Sequence, residues 1–252
     1  MDKVVEQNGK TFLLDLFFPK FCLGCQKEGS YLCEDCKTLL DISEFNYCLC
    51  DAKPIRLPPS QTLRQAQGRC QSCSNKKLSG LYFALPYKEK SLTKKLIHQF
   101  KYKPYLKDLA KTLSSILIEH FIKAGENTDA VWENSVLVPI PLDKNKLKIR
   151  GYNQSEELAK ELSKTLKIPM ISNALIKIKS TKPQMELKKE EREQNLLNAF
   201  GVRPGSDPGL TPQKVFLVDD VYTTGSTMQE CARVLRATGV KSVWGVAIAR
   251  EG

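Results

Sequence analysis

Apolar and polar positions change their period several times along the chain. Residues 81–87, LYFALPY, alternate closely enough for a strand. Leu92, Leu96, Ile97 and Phe100 then fall at helical spacing over 91–102. A second helix is expected to begin near Tyr105, with Leu109, Leu113, Ile116, Leu117 and Phe121 along one face. Residues 136–142, VLVPIPL, read as a buried strand running into a proline-rich turn. The next helix is expected from Asn153, which can cap it, with Glu156 three residues on as in a capping box; Leu158, Ala159 and Leu162 continue its apolar face. The stretch 180–195, STKPQMELKKEEREQN, is charged and aperiodic and reads as a loop leading to a strand at LNAF (197–200). A Gly/Pro-rich loop follows. Val215–Val218 then form a buried strand, and MQECARVLRATG is an amphipathic helix that stops at Gly239.

The first third obeys a different rule, set by cysteine. Of nine cysteines, eight lie between Cys22 and Cys73. They come in pairs: Cys22 with Cys25, Cys33 with Cys36, Cys48 with Cys50, and Cys70 with Cys73. A C-x2-C turn aims two thiolates at one point, and two such turns complete a tetrahedral site. Disulfides need no such local pairing. No apolar run reaches the roughly 20 residues of a membrane span. FLLDLFF near the N-terminus is interrupted by Asp15 and lacks a small-residue cleavage site. A cytoplasmic location is therefore expected, where thiolates meet zinc more often than one another. The simplest grouping places Cys22, Cys25, Cys33 and Cys36 in one zinc site and Cys48, Cys50, Cys70 and Cys73 in a second; a cross-braced grouping is the alternative. Sites closed by four thiolates are structural and stabilise a region whose core is small. Residues 51–69 read as a long loop inside the second knuckle, and SNKKLSG as a linker. The expected division is a Cys-rich domain over 1–78 and a second domain over 79–252.

Composition and charge narrow the partners. The 252 residues are 41% hydrophobic and 27% charged, enough apolar material for a folded core. Lys and Arg number 39 against 28 Asp and Glu, a net charge of +11 that favours phosphate-bearing partners: nucleotides, sugar phosphates or nucleic acid. The most basic stretch runs from Lys88 to Lys111, with eight lysines against Glu89 and Asp108. It suits a phosphate backbone, or equally the solvated face of two helices. His98, among these lysines, reads as a surface residue.

The strongest chemical signal is VFLVDDVYTTGST, 215–227. A buried strand ends in two carboxylates, Asp219 and Asp220. A hydroxyl-rich turn follows, Thr223, Thr224, Gly225, Ser226 and Thr227, and then a helix. Such a turn presents backbone N–H groups and a positive helix end to an anion. Gly225 lets the backbone approach closely. Phosphate is the natural guest of that turn. The aspartates would repel phosphate and suit sugar hydroxyls or a nearby divalent cation. The motif thus asks for a ligand with a phosphate at one end and a diol at the other, the form of a ribose 5-phosphate.

LVDDVYTTGST resembles the phosphoribosyl-pyrophosphate (PRPP) motif of type I phosphoribosyltransferases. With VPIPLDKNKLKIRGYNQSEELA (138–159), TKPQMELKKEEREQNLLNAF (181–200) and the paired cysteines, the chain resembles the ComF family of competence proteins from about Cys22 to Arg250. RGYNQSEELA, with Gln184, Arg192, Asn195 and Phe200, narrows the resemblance to that family. It implies an α/β fold of the type I phosphoribosyltransferase kind, a parallel sheet flanked by helices, preceded by a zinc ribbon, with the ligand at the strands' carboxyl ends. It implies that Asp219 and Asp220 hold the ribose hydroxyls and that Thr223, Thr224, Gly225, Ser226 and Thr227 cradle the 5-phosphate. Pro139, Ile140 and Pro141 would form the pyrophosphate loop, with Lys146, Lys148 and Arg150 toward the leaving group. Lys182 and Arg192 would meet pyrophosphate from the flexible loop.

The implied chemistry is displacement of pyrophosphate at ribose C1 with Mg²⁺ on the leaving group. Asp219, Asp220, Arg150 and Arg192 are the candidate catalytic residues. Thr223 replaces the aspartate that purine-salvage relatives offer as a base. The resemblance also ties the chain to DNA uptake in natural transformation. That leaves phosphoribosyl transfer to an unknown acceptor in competition with a non-catalytic factor binding PRPP or single-stranded DNA alongside the competence machinery.

Overall fold

The computed structural model describes residues 19–43, 46–47, 49, 56–57, 76–124, 131–179, 196–203 and 214–251. Four parallel strands make up most of a six-stranded sheet, ending at one edge. They are β3 (Gly80–Pro86), β8 (Ser242–Arg250), β7 (Lys214–Tyr222) and β4 (Ser135–Pro139), side by side in that order. Beyond β3 the short strands β1 (Asn46–Tyr47) and β2 (Arg56–Leu57) continue the sheet antiparallel. A separate antiparallel pair joins β5 (Leu175–Lys177) to β6 (Phe200–Val202). The central strands read as nearly unbroken apolar runs because both faces are covered, as parallel sheets require.

One face packs against α2 (Leu92–Lys101), α3 (Leu109–Lys123) and α5 (Gln154–Leu166). Their helical periods make that possible: Leu96, Ile97 and Phe100 of α2, Leu109, Leu113, Ile116, Leu117 and Phe121 of α3, and Leu158, Ala159 and Leu162 of α5 are all buried. The other face packs against α6 (Ser226–Ala237) through Met228, Cys231, Ala232 and Leu235.

Three local expectations shift. The helix foreseen near Tyr105 begins at Leu109, because Tyr105 sits at φ +58, outside helical space. The strand foreseen at 197–200 starts at its last residue, Phe200; Asn198 has φ +58, which a turn accepts and a strand does not. The lysine-rich run after the proline turn, which carried no assigned element, folds as a short exposed helix α4 (Lys144–Arg150), capped by Asp143 and stopped by Gly151 at φ 81. The 180–195 loop, with Lys182 and Arg192, lies outside the described residues.

The cysteine knuckle is docked on this core. Cys22, Leu32, Cys36 and Ile42 belong to the same apolar cluster as Phe100, Phe121 and Tyr82. The N–H of Ser43 donates to the Ala84 carbonyl (2.8 Å), His120 Nδ1 lies 2.6 Å from the Ser43 carbonyl oxygen, and Lys37 pairs with Glu119 of α3 at 3.0 Å. No helix among the described residues is long and apolar enough to cross a membrane.

Candidate ribose-phosphate site and cysteine metal site

The knuckle brings Cys22, Cys25, Cys33 and Cys36 together. Their four sulfurs lie within 4.8 Å of one another, the one such cluster among the described residues. Cys33 caps the five-residue α1 (Glu34–Thr38) and Cys36 lies within its first turn, so the helical turn itself aims both sulfurs at Cys22 and Cys25. Burial pushes the Cys22 thiol up, but N–H groups of Cys33, Cys25 and Gly24 at its sulfur outweigh this and bring it down to about 6. Cys36 is pushed up to about 12, first by the Cys25 sulfur and then by burial. Four sulfurs this close cannot all ionise without a cation among them, and the donor set fits a tetrahedral thiophilic ion. Cys48, Cys50, Cys70 and Cys73 lie outside the described residues.

The second site forms where the parallel strands end. β7 runs on through both aspartates to Tyr222, and α6 begins at Ser226. Gly225 caps α6 at φ 76; a Cβ there would run into the Tyr222 ring as well as a left-handed backbone. Thr224 Oγ1 lies 2.8 Å from Ser226 Oγ, folding the hydroxyls over the helix start. Alongside, β4 ends at Pro139 and the Ile140 N–H donates to the Val218 carbonyl at 3.0 Å. The Pro139–Ile140–Pro141 turn is thereby fixed beside the aspartates. Lys146 and Lys148 are exposed on α4. The Arg150 guanidinium carbon stands 5.9 Å from the centre of the Tyr102 ring.

The aspartates are held by residues that no sequence signal had assigned to them. Ser155 Oγ donates to Asp219 Oδ1 at 2.9 Å, and the Asp220 N–H donates to the same oxygen at 2.9 Å. Lys101 Nζ, from the end of α2, pairs with Asp220 Oδ1 at 2.8 Å; Asp220 itself is only 6% exposed. Desolvation and then the neighbouring Asp220 charge push the Asp219 carboxyl up to about 7, against the pull of Lys101 and Ser155. Burial works to lower Lys101, yet the carboxylates of Asp220 and Asp219 hold it above the usual ammonium range. Lys177 on β5 is lowered by desolvation and by Lys146, with Asp143 opposing.

The RGYNQS run explains how these partners are delivered. Asn153 caps α5 by accepting from the Ser155 N–H, and its own amide donates to the Ile140 carbonyl at 2.9 Å. Tyr152 Oη (2.5 Å) and Gln154 Nε2 (3.2 Å) both donate to the carbonyl of Phe100, the residue before Lys101. Four consecutive residues, Tyr152 to Ser155, therefore tie the proline turn, α2 and Asp219 together. Their polarity was the available signal: Tyr152, Asn153, Gln154 and Ser155 are all buried, although three of them are polar residue types. Lys101 had no such signal, being one lysine among eight. Of those eight, Lys94 pairs with Glu89, Lys101 with Asp220 and Lys107 with Glu157, which trims the basic surface.

Comparison with known proteins agrees with this geometry. The phosphoribosyl transferase domain family matches residues 152–251, from Tyr152 through the turn to the end of β8. Competence protein F of Haemophilus influenzae is 35% identical over 154 residues, covering 60% of this chain and 66% of that protein. The DNA utilization protein YhgH of Escherichia coli K12 is 32% identical over 148 residues, 59% of this chain and 63% of that protein. Competence protein ComFC of Bacillus subtilis is 39% identical over 106 residues, 41% of this chain and 39% of that protein. The chain thus spans just under two thirds of the length of the first two relatives. A phosphoribosyltransferase-type sheet, a four-cysteine knuckle docked on it and these relatives together place the chain in the ComF family.

Proposed function

We propose that the chain binds PRPP with Mg²⁺ and transfers its phosphoribosyl group to an acceptor not yet identified. The observation that carries this reading is the pair Asp219–Asp220 beside a hydroxyl-lined helix start, with a proline turn on the adjacent strand. In this reading Thr223, Thr224, Gly225, Ser226 and Thr227 and the first turn of α6 receive the 5-phosphate. Asp219 and Asp220 accept from the ribose hydroxyls. The 139–141 turn, Lys146, Lys148 and Arg150 face the diphosphate, and Arg192 is a further candidate cation for it. Magnesium carried on the diphosphate would neutralise leaving-group charge as the C1–O bond breaks. Thr223, where an acid would serve as base, argues against a purine acceptor. Zinc held by Cys22, Cys25, Cys33 and Cys36 is structural in this account.

Asp219→Asn and Asp220→Asn should each weaken PRPP binding at least about 100-fold, the loss expected when a charge-assisted contact is removed and its neighbour left unpaired. Circular dichroism should remain that of the folded chain. Unchanged affinity in both variants would remove the basis for the assignment.

A second reading has its own observation. A cleft of about 460 Å³ between the knuckle and α2 is lined by Lys90, Lys94, Lys95 and His98, with Leu23 and Gln26 opposite. The names of the relatives concern competence and DNA utilization. Single-stranded DNA crossing that cleft would bind with affinity falling steeply in salt. DNA affinity that survives Asp220→Asn would make it a separate function of the chain; DNA affinity that ignores salt and charge reversal at Lys95 would exclude the cleft.

A further inference from the structure

Each aspartate of the pair has one oxygen engaged by the protein and one left open. Asp219 Oδ1 takes the Ser155 hydroxyl and the Asp220 N–H, and Asp220 Oδ1 takes the Lys101 ammonium. Among the described residues neither Oδ2 accepts a hydrogen bond. Each carboxylate thus keeps one oxygen that takes no protein donor and can accept from a sugar hydroxyl. Which oxygen is open, and where it points, is decided by the donors on the engaged oxygens. For Asp220 that donor is Lys101.

We infer that Lys101 is a positioning residue for the sugar: by holding Asp220 Oδ1 it presents Asp220 Oδ2 to one hydroxyl of a vicinal diol, and so carries part of the choice of ribose over 2-deoxyribose. The inference rests on the ribose-phosphate reading above and extends it to a residue outside the 215–227 motif and outside the matched domain span of 152–251. Lys101 is well placed to hold its target. It follows Phe100, whose carbonyl is clamped by Tyr152 and Gln154 at the start of α5, and α5 also carries Ser155. The donors to the two carboxylates thus sit on helix ends tied to each other. A lysine on a free surface would lose side-chain entropy on pairing; here three quarters of the Lys101 side chain is already covered, and its partner carboxylate is buried.

The test compares ribose 5-phosphate with 2-deoxyribose 5-phosphate by calorimetric titration of the full, metal-replete chain. The wild-type protein should favour ribose 5-phosphate about tenfold, the worth of one hydroxyl hydrogen bond to a charged acceptor. Lys101→Met should bring that ratio down to about 2. Lys101→Arg, which keeps a cation on Asp220, should restore most of it. Tyr152→Phe, which leaves both charges in place but frees one tie on Phe100, should move the ratio the same way by a smaller amount. It also serves if Lys101→Met fails to fold. A tenfold ratio that persists in Lys101→Met, or in Tyr152→Phe if Lys101→Met does not fold, overturns the role of Lys101 while leaving the site intact. Failure of the wild-type chain to bind either sugar phosphate overturns the site and the inference together.

Discussion

The cysteine knuckle and the aspartate turn both gather groups of one charge type, but they assemble differently. All four sulfurs of the knuckle come from one stretch, Cys22 to Cys36, and a helical turn and a loop bring them within 4.8 Å. The aspartate site draws on β7, the end of α2, the start of α5 and the turn after β4. In the knuckle the protein supplies only like-behaving thiols, and the cation must bring the opposite charge. In the aspartate site the protein supplies its own cation, Lys101, and its own hydroxyl, Ser155. The first is therefore incomplete without its ion, whereas the second is prearranged before any ligand arrives.

That contrast sets the order of expected effects. The largest belongs to the knuckle. Removing its metal, or changing Cys36→Ser, forfeits binding energy of about 10 kcal/mol in sites of this kind. Amide exchange should then rise across 19–43 while the β7 and β8 amides stay protected. Because the knuckle shares a core with α2 and α3, these helices should lose some protection too. An exchange map unchanged after verified metal removal would break the comparison.

A smaller effect is expected at Asp220. Asp220→Asn leaves the Lys101 ammonium without its carboxylate partner; the pair is partly accessible at the lysine end, so the expected loss is about 2 kcal/mol rather than that of a fully buried pair. Denaturant melts of the ligand-free protein would measure it. Ser155→Ala should cost about 1 kcal/mol in stability and weaken sugar-phosphate binding several-fold, since Asp219 loses one neutral donor while keeping the Asp220 N–H.

A further expectation is a pH dependence with a definite sign. The Asp219 carboxyl is raised in the fold to about 7, so its contribution to stability is complete below the ordinary carboxylate range and is lost as pH rises through about 7. Between roughly pH 4 and 7 the wild-type chain should lose stability relative to Asp219→Asn, whose profile should be flatter. With zinc in excess in both proteins, the difference isolates this carboxyl. Parallel profiles would show that Asp219 titrates normally.

The same contrast explains what could be read from the sequence. The knuckle was legible because its ligands are close in sequence and one residue type announces them. The Asp219–Thr227 strand, turn and helix start were legible because an apolar run, a glycine turn and a helical period follow one another in one contiguous stretch. The helical periods of α2, α3 and α5 marked the buried side chains, with Leu92 only half-buried, since periodicity reports the face that meets the sheet. What was hidden is pairing across the fold. Ser155 and Asp219 are 64 positions apart, and nothing local to Lys101 separates it from seven other lysines. Boundaries slipped where a residue takes positive φ, as at Tyr105 and Asn198, because side-chain pattern carries little information about that choice.

The central claim, that the aspartate turn is a ribose-phosphate site, is tested most directly by calorimetric titration of the metal-replete chain with PRPP, with and without Mg²⁺. Saturable one-to-one binding that tightens when Mg²⁺ is present, and disappears in Asp220→Asn, is the predicted result. The absence of binding under both conditions would contradict the claim and leave the fold as a scaffold for another partner.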